Sequence, residues 1–536
     1  MSRAWQPAGD SAWVAVDGAA GAAAMHALAS AVRAANLPGV RDAVPSVDRV
    51  TVHLDPLRSG LAAVARLQEI APAPRAGSGR LVEIPVAYDG EDLATVASLT
   101  GLSPEDVVRR HAARDLPVLM TGFAPGFPYL AGVDPRLTLP RREVPRVRVP
   151  AGAVGLAAGM SCIYPGGTAG GWHLIGHADI TLFDPRADPP AALSPGDRVR
   201  WVPVDRLSRA SHARTDDAGA GETRGSGGLT VLRAGPLTTV QDAGRWGFQH
   251  LGVPVSGSCD AGARRRANAA AGNPESAAVL EMTQVGADVR FEQDAVIAWA
   301  GADLDIEIDG YAPRAAVPAV VRRGTVVRCG AVRAGFRSYL AVGGGLAVTP
   351  ILGSRSACLA AGFGGGAGRP LAAGDWLGIG RPEGDPRTPR RRFEGARVAG
   401  ATEVELRVLP GVDAGCFSAG DAERLLGRPL RVSPHINRAG LRLVGGAALL
   451  AGSDPGRLPV GTVPGAVQIT PDGTLLLLLA DRQPTGGYPQ IWSVISADLD
   501  RAAQLSPGDS VTFRACTHAD ALSALVAQEA RVLNGV

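Results

Sequence analysis

The chain contains no lysine, and all 54 residues counted as lysine or arginine are arginine. A Walker-type loop needs a lysine on the β- and γ-phosphates of a nucleotide, and a Schiff-base enzyme needs an amine nucleophile, so both mechanisms are excluded. Covalent biotin is also carried by a lysine, and we therefore expect no biotin on this chain. Any nucleotide has to be held by arginine side chains, backbone amides or a metal ion.

Cysteine pairs and long apolar runs are missing as well. The six cysteines include no Cys-x-x-Cys pair and no zinc-type spacing with histidine, which predicts buried thiols and no metal site. The longest apolar run, 475–480, has the length of a strand, and residues 1–10 lack the apolar core of a signal peptide. We therefore expect a cytoplasmic protein that does not use a membrane as a partner.

A strong excess of charge of either sign is also missing. The formal net charge is +3 over 536 residues, and no segment interleaves basic clusters with aromatic residues, which argues against nucleic acid as a partner. A hydrophobic content of 46% with 20% charged residues is typical of a globular protein. The length predicts three or four packed units.

Two stretches rich in glycine and polar residues, 208–228 and 384–402, predict linkers between these units. Short apolar runs separated by glycine and proline predict mainly β structure behind a small α/β domain. The predicted units are an α/β domain at 1–78, β-barrel units at 79–207, 229–383 and 403–517, and a C-terminal helix at 518–536. The elements predicted in the first two units are strands at 13–16, 48–54, 81–88, 179–183 and 198–204, and helices at 19–35, 57–70 and 103–114.

An internal repeat supports the barrel prediction. The sequence Leu-Ser-Pro-Gly-Asp occurs at 193–197 and again at 505–509, each time before a β-type run, and a weaker version occurs at 371–375. The residues before the first two turns match in the same order, Val149–Val154 with Val463–Val467 and Gly170–Trp172 with Gly486–Tyr488. Three ordered matches predict related β-barrel units, closed so that few strand edges are exposed.

The first half contains four candidate site residues. The segment Gly122–Leu130, with Phe127, alternates glycine and proline with aromatic residues and predicts a stiff loop beside a pocket; a turn that fills the core is the competing interpretation. Arg142 is a candidate for holding a carboxylate or phosphate, with surface solubility as the alternative. His173 is the histidine best suited to proton transfer, because glycines flank the Trp172–His173 pair and let the backbone approach a ligand.

In the second half, four charged residues are predicted to line one pocket as acid/base carboxylates and an anion clamp: Asp242, Arg245, Asp260 and Glu281. A structural ion-pair network is the competing interpretation. Asp260 also precedes a predicted helix that contains Asn268. Further polar residues interrupt apolar β sequence, where they need partners that a substrate could supply: Arg438, Asp481, Gln483 and Tyr488.

The chain resembles two related families. Over 13–207 the allophanate hydrolase subunit 1 family, which includes the B subunit of 5-oxoprolinase, is matched by Gly122–Leu130, Pro140–Arg142, Gly170–Trp172 and Pro195–Asp197. From Gly228 to about Cys516 the allophanate hydrolase subunit 2 family, which includes the C subunit of 5-oxoprolinase, is matched by Gln241–Arg245, Leu280–Glu281, Leu352–Arg355 and Asp481–Tyr488. One departure is Ala439, where relatives usually carry methionine.

The resemblance implies a fold that is mainly β, with an α/β N-terminal domain and several cyclophilin-like β-barrel units. It also implies a component of an ATP-dependent hydrolase that opens the lactam of 5-oxoproline to L-glutamate and is inactive without a separate A subunit. ATP is then the co-substrate, accompanied by Mg²⁺, and phosphorylation of the amide oxygen makes a better electrophile for water. The implied partners are the small amide substrate and the 5-oxoprolinase A subunit, and a homo-oligomer is compatible with the sequence.

The resemblance also suggests site residues. Those expected to act in catalysis are Asp242, Arg245, Glu281, Asp481 and His173. Those expected to bind substrate or nucleotide are Arg142, Phe127, Trp172, Asp260, Asn268, Arg355, Arg438, Gln483 and Tyr488. Two alternatives stay open: a carboxyltransferase component acting on urea or a similar amide, with carboxybiotin on another chain, and a regulatory binding protein of a histidine kinase.

Overall fold

The computed structural model describes residues 4–17, 20–58, 60–72, 79–207, 227–313, 318–382, 403–445 and 457–534. Residues 208–226 of the first predicted linker and all of the second, 384–402, lie outside the described residues. The described residues form four packed units followed by a C-terminal helix, and most regular structure is β. None of the described helices is both long enough and apolar enough to span a lipid bilayer.

The N-terminal domain is a four-stranded antiparallel sheet with two helices. Its elements are β1 (Ala4–Pro7), β2 (Ala12–Val16), α1 (Gly21–Ala34), β3 (Val40–Pro45), β4 (Arg49–Leu54) and α2 (Gly60–Glu69), with strand order β1-β2-β4-β3. Helix α1 packs inward because Met25, Leu28, Ala29 and Val32 recur at helical spacing and are buried. The predicted elements are confirmed, but β1 and β3 are missed because their sequences mix proline or charged residues with apolar ones.

The first barrel closes seven strands on themselves. The elements are β5 (Leu81–Ala87), α3 (Leu93–Thr100), α4 (Pro104–Ala112), β6 (Leu116–Thr121), β7 (Pro128–Leu130), β8 (Arg146–Val149), β9 (Ala153–Ala157), β10 (Met160–Ile163), β11 (Thr168–Gly170), β12 (His173–Ala178) and β13 (Arg198–Pro203). The order around the barrel is β10-β7-β6-β13-β5-β12-β9, and β8 pairs with β11 as a separate ribbon. Ser103 caps α4 by accepting the N–H of Asp106 at 3.1 Å.

One predicted strand of this barrel is wrong. Residues 179–183 follow β12 without joining the sheet, and only Phe183 forms an isolated bridge, to Ala191. Ile180 and Leu182 still pack against the barrel core. The alternating pattern therefore reports the burial of every second side chain rather than a ladder of backbone hydrogen bonds.

The middle unit is an open sheet, a half-barrel. Its elements are β14 (Gly228–Arg233), β15 (Leu237–Gln241), α5 (Ala261–Ala271), β16 (Val279–Thr283), β17 (Asp288–Phe291), β18 (Ala295–Ile308), β19 (Ala319–Val321), β20 (Val326–Val342) and β21 (Trp376–Gly378). The main strand order is β15-β16-β20-β17-β14-β21, and β18 pairs with β19 and β20. The β unit predicted here is present, but its described strands do not close into a ring.

The second barrel again closes seven strands. Its elements are β22 (Glu403–Pro410), α6 (Ala419–Leu425), β23 (Leu430–Ile436), β24 (Gly440–Val444), β25 (Val460–Gly461), β26 (Ala466–Ile469), β27 (Leu475–Leu478), β28 (Thr485–Gly486), β29 (Gln490–Val494), α7 (Leu499–Ala503) and β30 (Ser510–Ala515). The order is β22-β29-β26-β27-β24-β23-β30, and β25 pairs with β28. Helix α8 (His518–Asn534) follows, as predicted.

The two barrels have the same topology, strand for strand. Their neighbours run in the same order from β5 and from β22, and the first and last strands of each barrel pair in parallel. Each barrel also carries a two-stranded ribbon at the equivalent place, β8 with β11 and β25 with β28. The predicted repeat is therefore confirmed.

The two Pro-Gly-Asp turns and the Ala-Gly-Asp turn at 373–375 share one geometry. The glycine φ is +91° at Gly196, +91° at Gly508 and +92° at Gly374, a conformation that L side chains rarely adopt. In each turn the aspartate carboxylate accepts the N–H three residues earlier: Asp197 from Ser194 at 3.0 Å, Asp509 from Ser506 at 2.8 Å, and Asp375 from Ala372 at 2.7 Å. The weak third match is thus a structural counterpart inside the open unit.

The cysteines follow the prediction only in part. Four of them, Cys162, Cys259, Cys329 and Cys358, are buried free thiols as expected, but Cys416 is exposed and Cys516 is half-buried. Cys416 lies in the irregular segment between β22 and α6, where the chain has left the barrel core.

Candidate functional site

Segment 242–260 of the middle unit, between β15 and α5, is held by the neighbouring units. Asp42 of the N-terminal domain accepts the N–H groups of Gly247 and Gln249 at 3.2 and 3.1 Å. Thr121 of the first barrel donates its hydroxyl to the carbonyl of His250 at 2.6 Å. These contacts join residues 205, 207 and 129 positions apart, so the site exists only in the folded chain.

A buried ionic cluster lies between the middle unit and the second barrel. It consists of Glu281 on β16, Arg438 between β23 and β24, and Asp481 after β27. The Arg438 guanidinium bonds Glu281 through Nη1, and bonds Asp481 through Nε at 2.9 Å and Nη2 at 3.1 Å. Its Nη2 also donates to the Gly257 carbonyl, and Nη1 lies 3.5 Å from Cys259 Sγ. Every nitrogen of the guanidinium therefore has a protein partner.

Burial and charge act in opposite directions on this cluster. Glu281 is 1% exposed, and burial alone raises its pKa, but attraction to Arg438 and Arg337 outweighs burial and holds the pKa below its ordinary value. Burial alone lowers the pKa of Arg438, but Asp481, Cys259 and Glu281 raise it well above its ordinary value. Glu281 and Arg438 are therefore both ionised at neutral pH.

Asp242 and Arg245 follow β15 in a turn that is satisfied mostly within the middle unit. The Asp242 carboxylate accepts the hydroxyls of Ser354 and Ser356 and the N–H of Arg355, all at 2.6 Å. Arg245 donates from Nη2 to the Ser356 carbonyl, whereas its buried Nε and Nη1 have no partner among the described residues. Asp242 thus anchors the 354–356 turn, and Arg245 keeps unused donors. The buried Nε of Arg355 also lacks a partner there.

Asp260 and Asn268 support helix α5. Asp260 caps the helix by accepting the N–H of Ala263 at 2.6 Å, and its other carboxylate oxygen accepts Nε2 of Gln504 at 2.7 Å. Asn268 donates from Nδ2 to the carbonyl of Ala277 at 2.8 Å. The predicted helix is confirmed, and these bonds account for both buried side chains without a ligand.

Phe127 and Trp172 belong to an aromatic cluster inside the first barrel. The ring centroid of Phe127 lies 4.9 Å from that of Tyr129, 5.2 Å from that of Tyr164 and 6.1 Å from that of Trp172. Phe127 is 2% exposed and Trp172 is 5% exposed. The geometry therefore favours the core-filling interpretation for these two residues.

Arg142 and His173 lie in the first barrel, apart from the ionic cluster. Arg142 donates from Nη1 to Asp92 Oδ1 at 2.7 Å, and Arg146 donates to the same oxygen at 2.9 Å. His173 Nε2 lies 3.1 Å from the carbonyl oxygen of Pro140, and its buried Nδ1 has no partner among the described residues. Arg142 is therefore ion-paired, while His173 keeps one ring nitrogen unused.

Gln483 and Tyr488 flank the contact between the two barrels. Thr485, between them, accepts the N–H of Phe123 at 2.8 Å. The carbonyl of Gln483 accepts the Thr462 hydroxyl, and the carbonyl of Tyr488 accepts Gln468 Nε2 at 3.3 Å. Since these bonds use the backbone, the binding roles of the two side chains stay predictions, as do the roles of the other site residues.

Next to the ionic cluster lies a cavity of about 1010 Å³, here called the junction cavity. The N-terminal domain, the middle unit, the second barrel and α8 all contribute to its wall. None of the predicted site residues lines the cavity, although their neighbours Ala243, Cys259 and Ala480 do. None of the polar residues of the wall was predicted from the sequence as a site residue; they include His53, Trp246, Arg482 and Asp500.

The missed residues differ in how visible they are in the sequence. Arg482 directly follows the predicted Asp481, so the same motif contains a signal for it. Trp246 likewise directly follows the predicted Arg245, whereas His53 carries no such signal, because the side chains it faces come from distant parts of the chain. The rings of His53 and Trp246 lie 5.7 Å apart between centroids, and the guanidinium of Arg41 lies 5.1 Å from the Trp246 ring.

Metal ligation has little support in the folded chain. Within the part of the chain that the structure describes, no group of three or more histidine, cysteine, aspartate or glutamate side chains could hold a metal ion. The functional groups around the junction cavity include guanidinium groups, carboxylates, an imidazole, serine hydroxyls, the Cys259 thiol and backbone amides.

Each half of the chain is similar to known proteins. Residues 4–193 match the family model described as the carboxyltransferase domain, subdomains C and D, and residues 251–515 match subdomains A and B of that domain. The chain is 44% identical over 179 residues to the B subunit of 5-oxoprolinase from Escherichia coli O157:H7, covering 32% of this chain and 82% of that protein. It is 36% identical over 299 residues to the C subunit of 5-oxoprolinase from Escherichia coli strain K12, covering 55% of this chain and 94% of that protein.

The chain belongs to the families of the B and C subunits of 5-oxoprolinase, joined in one polypeptide. A crystal structure of the protein TTHA0988 has the same fold nearly from end to end, with a TM-score of 0.83 and 35% identity over 94% of this chain and 99% of that one. The half that is similar to the B subunit, here called the B part, contributes the N-terminal domain and first barrel. The other half, the C part, contributes both sides of the ionic cluster, so this cluster is internal to the C part.

Proposed function

We propose that this chain is the B and C component of an ATP-dependent 5-oxoprolinase, which opens the lactam of 5-oxoproline to L-glutamate together with a separate A subunit. The observation that carries the proposal is the similarity of one chain to the B subunit over 82% of that protein and to the C subunit over 94% of that protein. The large cavity at the contact of the two parts supports it, because such contacts are common places for small-molecule sites.

The ionic cluster fits a positioning role in this reaction. All donors of Arg438 are used by the protein, so the side chain has none left for a substrate. The second oxygen of Glu281 accepts the N–H of Cys259 at 2.9 Å, and Cys259 lines the junction cavity. Glu281 therefore holds one wall of the cavity in place, and the cluster fixes the geometry in which a substrate would react.

The nucleotide has to be bound without a lysine on this chain. Phosphorylation of the amide oxygen by ATP needs charge neutralisation, which arginine side chains, backbone amides and Mg²⁺ can supply. Because the described residues include no carboxylate cluster fit for a metal, we expect Mg²⁺ to enter with the phosphates of ATP.

The proposal is tested by measuring glutamate and ADP formed from 5-oxoproline and ATP, with and without a candidate A subunit. We expect stoichiometric formation of both products only when the two proteins are combined. The variant Glu281→Gln should lower kcat by about 100-fold, because a wall displaced by about 1 Å misplaces the substrate. Glu405→Gln, at an exposed residue that pairs with Arg514, is the matched control and should leave kcat unchanged. No turnover with the partner present rejects the proposal.

A second candidate is a carboxyltransferase component, favoured by the description of the matching family models. The carboxyl group would then arrive on biotin carried by another polypeptide, because this chain has no lysine. Carboxylation of urea in the presence of an added biotin carrier protein, without glutamate formation from 5-oxoproline, would select this function. Tight binding to a histidine kinase with neither activity would select a regulatory protein instead.

A further inference from the structure

Arg482 differs from the other arginines in the wall of the junction cavity. The ion pairs of the others are Arg41 with Asp55 at 2.9 Å, Arg58 with Asp55 at 3.8 Å, and Arg265 with Glu275 at 2.8 Å, while Arg264 donates to Ser258 at 3.0 Å. Arg482 has no carboxylate oxygen within 4.0 Å among the described residues, and its one hydrogen bond runs from Nη2 to Gln249 Oε1 at 3.1 Å. Its buried Nε has no hydrogen-bond partner in the described part of the chain.

The missing counter-ion is costly at this position. Arg482 is 2% exposed, and burial lowers its pKa to about 10 against the smaller opposite effect of Asp42, whose carboxylate is connected to Arg482 only through Gln249 among the described residues. The guanidinium therefore remains charged at neutral pH. Removing a charge from water costs several kcal/mol unless an opposite charge and hydrogen bonds replace the water. Arg438, on the same barrel, receives two carboxylates, whereas Arg482 faces a cavity. An anion in that cavity is the partner that this side chain lacks.

His53 lies in the same wall and is also unsatisfied. Its side chain is fully buried, and neither ring nitrogen has a hydrogen-bond partner among the described residues. Burial, with help from the charges of Arg482 and Arg41, lowers the pKa of His53 well below its ordinary value, so the imidazole is neutral. A neutral imidazole offers one donor and one acceptor, the pair of functions that an amide group needs.

The charge balance indicates the class of ligand. Two wall arginines have no carboxylate partner among the described residues, but Arg264 donates to Ser258 and to the Glu275 carbonyl, so only Arg482 of the two keeps a buried donor without a partner. One such arginine suits a monoanion, whereas a nucleoside triphosphate would need several. Among the described acids of the wall, only Asp500 has no ion pair. It is buried beside Asp260, and burial together with this neighbour raises the pKa of Asp500 to about 7. The planar guanidinium matches a carboxylate in two parallel hydrogen bonds, and Trp246 provides an apolar surface.

We propose that the junction cavity binds a small monoanionic carboxylate that also bears an amide, with the carboxylate on Arg482 and the amide against His53. Resting on the proposed function, this assigns the substrate 5-oxoproline, a carboxylate on a lactam ring, to a site at the contact of the B and C parts. His53 comes from the first part and Arg482 from the second, so neither part alone contains the site.

The test measures binding to the full chain by titration calorimetry, first without ATP and then with the partner protein present. L-5-Oxoproline should bind, and 2-pyrrolidinone, the same lactam without the carboxylate, should bind about 10- to 100-fold more weakly. Arg482→Gln should weaken 5-oxoproline by a similar factor and leave 2-pyrrolidinone unchanged. His53→Leu should weaken both ligands. Arg482→Lys keeps the charge and should lie between wild type and Arg482→Gln, which covers the case in which the neutral variant misfolds.

Several outcomes overturn the inference. These are no binding of 5-oxoproline in either condition, equal affinity of 5-oxoproline and 2-pyrrolidinone, and equal affinity of wild type and Arg482→Gln for 5-oxoproline. Arg514→Gln, at an exposed arginine outside the cavity that pairs with Glu405, is the matched control and should bind 5-oxoproline like wild type.

Kinetics in the presence of the partner protein separate this inference from the proposed function. If Arg482→Gln raises KM for 5-oxoproline but not for ATP, both stand. If it raises KM for ATP alone, the cavity is a nucleotide site and the inference fails while the function stands. If 5-oxoproline binds with the expected dependence on Arg482 but is never turned over, the function fails and the site assignment stands.

Discussion

The two barrels share one strand topology. In each barrel two equivalent loops contact each other, through aromatic rings in the first barrel and through an ion pair in the second. In the first barrel, Phe127 in the β6–β7 loop packs on Tyr164 after β10, with ring centroids 5.2 Å apart. In the second barrel, Arg438 in the β23–β24 loop binds Asp481 after β27 at 2.9 Å. The strand order is the same in both barrels. The topology therefore does not depend on whether aromatic rings or an ion pair connect the two loops.

The difference shows how each barrel is completed. Aromatic rings gain stability from burial alone, so the contact between Phe127 and Tyr164 is made inside the first barrel, although the backbone of the same β6–β7 loop bonds Thr485 of the second barrel through Phe123 at 2.8 Å. A buried guanidinium needs all of its partners, and one of them, Glu281, comes from the middle unit. The ion pair between Arg438 and Glu281 therefore links the second barrel to the middle unit, and the wall of the junction cavity lies beside this ion pair.

The greatest loss of stability should follow from removing the Arg438 guanidinium from the ionic cluster. Arg438→Met leaves Glu281 buried without its main partner, and we expect the free energy of unfolding to fall by about 4 kcal/mol. Chemical denaturation followed by fluorescence measures the change. Arg424→Met, at an exposed residue paired with Asp421, is the control and should change stability by about 0–1 kcal/mol. A loss below 1 kcal/mol for Arg438→Met would show that the ionic cluster is dispensable.

Acid should distinguish the barrels next. His111 of the first barrel is buried between Tyr88 and Ser161, at 2.8 Å from each, and burial lowers its pKa to about 3 from an ordinary 6.5. A lowered folded-state pKa means that the unfolded chain binds the proton first, so stability is full above pH 6.5 and falls as the pH drops toward 3. Between pH 6.5 and 5 the first barrel should lose about 2 kcal/mol.

The second barrel should resist the same change. Its one described histidine, His435, is exposed, and the lowered pKa of Glu281 beside it costs stability only below the ordinary value of 4.5. Hydrogen exchange measured by region at pH 6.5 and 5 should show a larger acceleration in the first barrel than in the second. His111→Gln should remove most of this difference, and equal acceleration of exchange in both barrels would contradict the prediction.

A smaller loss of stability is expected from substitutions in the glycine turns of the second barrel and the middle unit. Gly508→Ala in the second barrel and Gly374→Ala in the middle unit place a methyl group at φ near +91°, where neither meets another atom within 4 Å. Backbone strain alone should cost about 1–2 kcal/mol in each, and the two losses should be equal if the turns are equivalent. Gly420→Ala, inside helix α6, should have the opposite sign and stabilise by about 0.5 kcal/mol. Thermal unfolding measures all three.

The smallest effect concerns the aromatic side. The Tyr164 hydroxyl accepts the backbone N–H of Trp172, and Tyr164→Phe removes this bond while keeping the ring. We expect a loss of about 1 kcal/mol by equilibrium denaturation. Tyr311→Phe, at a residue 68% exposed, is the control and should have no measurable effect. A loss above 3 kcal/mol would show that the first barrel also depends on a polar contact.

The fold was largely predictable because its signals are local. The repeated Pro-Gly-Asp turn identified the two barrels, since a glycine at positive φ followed by an aspartate that caps the turn is encoded in adjacent residues. The strand at 179–183 was mispredicted because alternating burial and strand pairing produce the same pattern. The open form of the middle unit was missed since ring closure depends on partners far apart in the chain.

Local sequence is enough to exclude a phosphate loop and covalent biotin, because lysine is absent, and to predict two barrels built on one turn. It also points to Asp481, one residue from Arg482. Which arginine is fully paired and which faces a cavity depends on the folded chain, because Glu281, Gln249 and His53 reach these side chains from distant parts of the chain. The strength of an ion pair depends on the distance between the two charged groups in the folded chain, and a local sequence pattern does not reveal that distance.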